Sequence, residues 1–363
     1  MDIVGKTVWQ HAAGDSGHDH TDLCLKWDVI LIGPGEKSWF CCTEDEKRKT
    51  GDDARRFCEE MKEGDIVVLK MGLSKLRAIG VVGTYEHVDE FNDVDGWELG
   101  HARRVRWLHK KPHDFKANVF TRRTTTRLYG ESALTWIRNT LDPIDDGSWI
   151  DLEPVALPPE DGGDLNLERD DLAASLFERG LPSDAIRDLL DPNGSFVQMA
   201  NWYWNQSASE HETVCHLVVP LLKVLGWTPQ KIALEHNRID VALFSRLPRE
   251  DEDKANLAVV VEAKALHKAC LGAFEQAKRY AQQYSNCNRI IVTDGLRFGV
   301  FVREGEAWPE DLKPYAYLNV RRLRSSYPIY REQESGYELL GAKQAIHAMT
   351  PGWNPDLDLD GRR

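Results

Sequence analysis

The chain has 363 residues, 42% of them hydrophobic and 29% charged, a balance that excludes a disordered chain and leaves room for two domains. No run approaches the roughly 20 apolar residues of a membrane span, and the first residues carry no basic stretch followed by an apolar one, so neither a spanning segment nor a secretory signal is expected. The formal net charge of −13 argues, as an average, against a nucleic-acid partner.

Taken in chain order, residues 28–33 (DVILIG), 65–70 (DIVVLK), 78–84 (AIGVVGT) and 102–108 (ARRVRWL) are short apolar or alternating runs bounded by Gly, Asp or Pro. They read as strands, with helical character at 53–62, and several short strands with few helices suggest a small barrel. Residues 145–171 carry ten acids and one base, a net of −9, around the sequence LPPEDGGD, and read as a linker. After it, 172–190 reads as short helices broken at Gly180-Leu-Pro182. Residues 210–225 form a helix with Val214, Leu217, Val218, Leu221 and Leu225 on one stripe, ended by Gly226. Strands follow at 239–244 and 257–263, then a helix over 271–284 and strands at 289–293 and 298–303. Such an order fits a mixed sheet with helices on its faces.

The charge is unevenly placed. Against the acidic segment stands 103–127, with nine Lys/Arg and one acid, a net of +8, interleaved with Trp107, Phe115 and Phe120. Phosphate contacts act locally, so Arg103, Arg104, Arg106, Lys110, Lys111, Arg122, Arg123 and Arg127 are candidate contacts to a DNA backbone. Seven cysteines with no CxxC pair point to free thiols in a reducing cytoplasm. The spacing of His11, His18, His20 and Cys24 matches no common zinc pattern.

One constellation carries chemistry. The apolar run 257–261 leads directly into Glu262-Ala263-Lys264. In a strand, residues i and i+2 share a face, so Glu262 and Lys264 project side by side. Asp240 lies inside the preceding apolar strand, where pairing would bring it next to Glu262. Carboxylates that close are costly unless a cation sits between them, and Mg²⁺ takes oxygen ligands. Glu210, at the start of the preceding helix, could reach the same ion, whereas Glu212 should face elsewhere. A lysine beside a metal can orient a water or offset charge on a phosphate.

Asp240…Glu262-Ala-Lys264 resembles the PD-(D/E)XK nuclease motif. The helix at 209–227, with Glu210, Thr213 and a Pro-Leu-Leu…Leu-Gly-Trp ending, is similar to the first helix of the nuclease domain in type I restriction motor subunits. Gln276-Ala-Lys-Arg-Tyr280 resembles the Q-x-x-x-Y helix that follows the ExK strand, and residues 315–319 and 326–330 resemble the tail of such domains. The resemblance spans about 200–335, with Ile239 in place of the usual Pro. It implies Mg²⁺-dependent phosphodiester hydrolysis with Glu210, Asp240, Glu262, Lys264 and Gln276 at the site, and Asp240, Glu262 and Glu210 as metal ligands.

Residues 57–70, 78–86 and 102–108 resemble the EVE branch of PUA-like barrels, over about residues 5–140. Such domains look like readers of modified bases, in which aromatic rings stack on a flipped nucleotide. Trp9, Trp27, Trp39, Tyr85 and Trp97 are the candidate walls.

The expected fold is therefore α+β with two domains. A PUA-like β-barrel (1–144) precedes an acidic linker and short helical connector (145–200). A mixed α/β restriction-endonuclease-like sheet (201–340) and a C-terminal helix and tail (341–363) follow. The expected function is that of a modification-dependent, type IV-like restriction endonuclease of the cytoplasm. Its partner would be double-stranded DNA carrying a modified base such as a 5-substituted cytosine, cut with Mg²⁺ by a homodimer. No GxxxxGK[ST] occurs, so no nucleoside triphosphate is expected. The alternatives are a non-catalytic reader of modified nucleic acid and a nuclease acting on modified RNA.

Overall fold

The structure is a computed structural model, and it describes residues 5–14, 18–35, 37–143, 155–157, 167–204, 206, 208–247, 256–267, 270–310, 312–329 and 337–354. Most of the acidic segment, most of the charged loop at 246–254, Tyr330 and the tail from 355 lie outside them. The protein is a mixed α+β fold with several sheets. It divides into two compact units, Met1–Gly162 with Pro328–Tyr337, and Gly163–Tyr327 with Glu338–Arg363. Among the described residues no helix is long and apolar enough to cross a membrane.

The first unit is built on β1 (Val8–Ala12), β2 (Val29–Ile32), β3 (Ile66–Met71) and β4 (Lys75–His87). A short ribbon, β5 (Asn92–Val94) with β6 (Trp97–Glu98), precedes β7 (His101–His109), β8 (His113–Asp114) and β9 (Thr125–Arg127). The main sheet runs β2-β7-β4-β3-β1-β9, with β8 pairing β4. Period-two alternation sorts β3 between two cores. Val67 and Leu69 pack with Trp9, Trp39, Phe57 and Val105. Ile66 and Val68 face the other way, with Ile137 and Leu141 of the helix Glu131–Leu141. Gly80 is required where β4 meets β7, because a Cβ there would lie 2.3 Å from Val105 Cγ1 and 2.8 Å from the Arg106 carbonyl.

The expected small barrel is not closed. β2 and β9, of four and three residues, are the open edges of the sheet. The sheet nevertheless curls far enough for the His11 ring on β1 to reach the Leu31 carbonyl on β2 at 2.9 Å, so a side chain bridges where a backbone ladder would close a barrel. β1 itself pairs in parallel with β3; it was not among the expected strands.

In the second unit, β10 (Ile232–His236), β11 (Ile239–Phe244), β12 (Leu257–Ala263), β13 (Arg289–Thr293), β14 (Arg297–Val302) and β15 (Ala316–Asn319) lie in that order. β17 (Tyr337–Leu340) and β16 (Ser326–Ile329) complete the sheet. β12 and β13 are parallel, and the helix Phe274–Ala281 provides the crossover a parallel pair needs. Both strands are wholly buried, which explains the Val and Ile runs at their centres. One core joins Val241, Leu243, Val259 and Val261 of the sheet to Leu217's neighbours Val218, Leu221 and Leu222. Leu172, Leu176, Leu189 and Phe196, from the segment expected as a connector, belong to the same core, as do Ala345 and Ile346 of the helix Ala342–Ala348.

Candidate functional site

The site in the second unit is assembled by strand register. Val241 on β11 pairs with Val261 on antiparallel β12, so Asp240 and Glu262 are next in register, on the face opposite the core that holds Val241 and Val261. Asp240 Oδ2 accepts a hydrogen bond from the Ala263 N–H at 2.7 Å. Two residues beyond Glu262 on the same face, Lys264 Nζ donates to Glu262 Oε1 at 2.8 Å and lies 3.5 Å from Gln276 Oε1. Glu210 Oε2 stands 4.0 Å from the same ammonium. Four residues chosen from the sequence therefore meet around a fifth, Lys264.

Glu210 opens the helical run Glu210–Val224, whose second turn, Val214–Val218, is π-helical. Ser209 caps it in a reciprocal box with Glu212, which fixes Glu212 away from Lys264 as its helical position predicts. The helix start approaches the strand ends over Gly295, at φ +88°, where a Cβ would meet Thr213 Cγ2 and Leu217 Cδ1 at 2.7 Å.

The electrostatics are those of acids crowded out of water. Glu262 is 1% exposed, and its Oε2 is buried with no hydrogen-bond partner among the described residues. Burial raises its pKa to about 7 against the opposing Lys264 hydrogen bond, with Asp240 adding to the rise. Asp240 is raised by burial and then by Glu210, against the Ala263 hydrogen bond. Burial works against the charge on Lys264, but the Glu262 hydrogen bond and the surrounding carboxylates outweigh it and raise its pKa. Among the described residues no three His, Cys, Asp or Glu side chains are gathered as a ready metal cage. The donor set is nonetheless all oxygen, and the orphaned Glu262 Oε2 is an acceptor that a hard divalent cation would satisfy, so Asp240, Glu262 and Glu210 fit such an ion.

In the first unit the candidate residues divide. Trp9 is fully buried, its indole N–H donating to Asp65 Oδ2 at 2.8 Å; it is a core residue and not the wall of an open pocket. Trp39 is also fully buried and donates to Glu59 Oε1 at 2.8 Å, but its backbone N–H donates to the Tyr85 hydroxyl at 3.0 Å. That hydroxyl lies 2.9 Å from His101 Nδ1. Burial first, and then His87, lower His101 to about 4, while the Pro34 carbonyl opposes the shift. The imidazole is therefore neutral, with Nδ1 within hydrogen-bond distance of the phenol. Phe40, 62% exposed, sets its ring edge-on to Tyr85 at 5.1 Å. Trp27 and Trp97 flank a different cluster with Phe91 and Val94, so the five aromatic candidates do not form one cage. His101, His87 and Phe40 were missed; Phe40 adjoins Trp39 in a Gly/Ser-rich loop, which was the available signal.

The basic candidates also divide. Arg103 is 6% exposed and donates to the Phe57 carbonyl at 2.6 Å, Cys58 at 2.9 Å and Gly83 at 3.3 Å. It caps the end of the π-helical turn Arg56–Glu60 and is no backbone contact. Arg104 pairs with Glu86 at 2.8 Å, Arg127 lies over the Trp9 ring and 3.8 Å from Glu60, and Arg106 is half-buried. Lys110, Lys111, Arg122 and Arg123 are exposed. His11 is held by Thr125 and Leu31, and neither it nor the buried Cys24 belongs to a metal cluster among the described residues.

Residues 9–129 match a family described as a domain of unknown function (DUF8426). No curated protein matches the chain.

Proposed function

We propose that the protein is a modification-dependent endonuclease that hydrolyses DNA phosphodiesters at the Glu210–Asp240–Glu262–Lys264–Gln276 cluster. The observation that carries this reading is the meeting of three carboxylates and a glutamine around Lys264 at the ends of β11 and β12. Asp240, Glu262 and Glu210 would hold Mg²⁺, which supplies Lewis acidity and an activated water. Lys264, held by Glu262 and Gln276, presents its ammonium where charge grows on the phosphoryl oxygens. Burial of Glu262 keeps bulk water from screening that charge.

The first unit supports a reader. Tyr85, with Phe40 edge-on and neutral His101 behind it, offers a ring and a polar network suited to an uncharged heterocycle, and the exposed Lys110, Lys111, Arg122 and Arg123 suit the flanking phosphates. Tethering raises the effective concentration of the nuclease at a bound site, and one active site per chain implies two copies for a double-strand cut. The test is incubation of a duplex carrying 5-substituted cytosine with protein in Mg²⁺ or in EDTA. Fragments with 5′-phosphate ends in Mg²⁺ alone are expected; intact duplex with every divalent cation offered overturns the nuclease reading.

A further inference from the structure

The lysine cluster has a neighbour that its chemistry does not use, the two-residue turn between β10 and β11. His236 pairs with Ile239, so Asn237 and Arg238 alone make the turn, and both hold left-handed backbone, at φ +51° and +71°. Positive φ at both central residues is the pattern of a type I′ hairpin, where Asn-Gly is the preferred pair because glycine takes positive φ without strain. The chain supplies asparagine at the first position and arginine at the second. Arg238 is exposed, and its guanidinium makes no hydrogen bond, ion pair or ring contact among the described residues. A strained arginine that supports nothing in the fold points to function.

The turn stands at the cluster. Arg238 lies two residues before Asp240, so their Cα atoms are at most about 7 Å apart. Glu235, between the pairs Leu234–Val241 and His236–Ile239, stands across from Asp240. Its Oε1 is 3.4 Å from Nδ1 of His211, the residue after Glu210. On the other side, Asn237 Nδ2 donates to the Tyr284 hydroxyl at 3.3 Å, just past the helix that carries Gln276. The hairpin tip is thus braced against both helices that deliver site residues. Apart from Lys264, the groups gathered there are carboxylates and one glutamine, so a polyanionic strand needs a cation at the rim. Arginine stays charged at every working pH, and its planar fork of donors matches a phosphate.

We infer that Arg238 is a positioning residue that grips a backbone phosphate of the DNA strand lying in the lysine cluster. The inference rests on the endonuclease reading and names a contact within it. The test compares wild type with Arg238→Gly, Arg238→Gln and Arg238→Lys. Binding is read by fluorescence anisotropy of a labelled duplex carrying 5-substituted cytosine, in EDTA across a salt series, and cleavage kinetics are read in Mg²⁺. Arg238→Gly separates a structural role from a binding one. It relieves the turn, so it should melt at or above the wild-type temperature, yet it should bind DNA about tenfold more weakly. In it and in Arg238→Gln the slope of log K against log salt should fall by about 0.9, the value for one lost phosphate contact. Arg238→Lys, which keeps the charge without the fork, should fall between. In Mg²⁺ both neutral variants should raise KM more than they lower kcat. Wild-type slope and KM in the two neutral variants, while wild type binds and cuts, overturn the inference alone. If wild type neither binds nor cuts DNA, the endonuclease reading and the inference both fall.

Discussion

The two units handle buried polarity in opposite ways. In the second, Glu262 and Asp240 at strand ends and the more exposed Glu210 at a helix start gather around an ammonium, and the buried acceptor Glu262 Oε2 has no partner among the described residues. In the first, the half-buried Tyr85 hydroxyl is bonded to the buried His101 and to the Trp39 N–H, with no charge among them. Unsatisfied buried charge is costly, so the second arrangement is one that a cation and a phosphate would relieve. The first needs no ion and suits a flat, uncharged ligand. On the proposed reading, the contrast separates a site for chemistry from a site for recognition.

The largest effect expected is on turnover. Lys264→Ala and Asp240→Asn should each lower cleavage of modified DNA by at least about a thousandfold while DNA affinity in EDTA stays near wild type. Cleavage within tenfold of wild type in either variant would move the chemistry elsewhere and erase the contrast.

A second test concerns Arg103. Arg103→Ala leaves the Phe57, Cys58 and Gly83 carbonyls without their donor and should cost about 3 kcal/mol of stability. Lys111→Ala, at an exposed position, should leave the melting temperature unchanged and weaken DNA binding. If instead Arg103→Ala melts like wild type and loses DNA affinity, Arg103 belongs with the phosphate contacts.

A smaller effect follows from Glu262. Its pKa in the folded protein, about 7, lies above its ordinary 4.5, so the folded state binds more protons than the unfolded state between those values. Stability of the metal-free protein should therefore fall as pH rises through that window. Glu262→Gln should flatten the dependence, and millimolar Mg²⁺ should raise the melting temperature at pH 8 more than at pH 5. A melting profile of Glu262→Gln parallel to wild type across this range would show that Glu262 is not the group responsible. The smallest effect is at Tyr85. Tyr85→Phe removes the hydroxyl shared by Trp39 and His101 and should reduce the preference for modified over plain duplex several-fold, read as a ratio of binding constants, with little change for plain duplex. An unchanged ratio would place recognition outside this cluster.

The lysine cluster was legible because strand geometry is local: the i, i+2 rule places Glu262 beside Lys264, and the pairing of two apolar strands places Asp240 against Glu262. The first unit was less legible because burial there is decided by distant segments. Nothing near Arg103 announces that its partners are carbonyls some 45 residues away. Nor does the surrounding sequence tell that Trp9 packs against Phe57 and Val67, whereas Tyr85 sits beside an exposed Phe40. The barrel expectation failed at the edges: β2 and β9 are too short to zip together, and the His11 ring spans to β2 instead. The short helices of 172–190, broken at Gly180-Leu-Pro182, were legible; that they supply Leu172, Leu176 and Leu189 to the second unit's core was not, because short amphipathic helices do not reveal their neighbours.

The central claim, that one unit reads a modified base and the other cuts, is tested most directly by digesting matched duplexes, identical except for 5-substitution of cytosine, with wild-type protein in Mg²⁺. The account predicts cleavage of the modified duplex and an intact plain duplex. Equal cutting of the two, or cutting of neither, would contradict it.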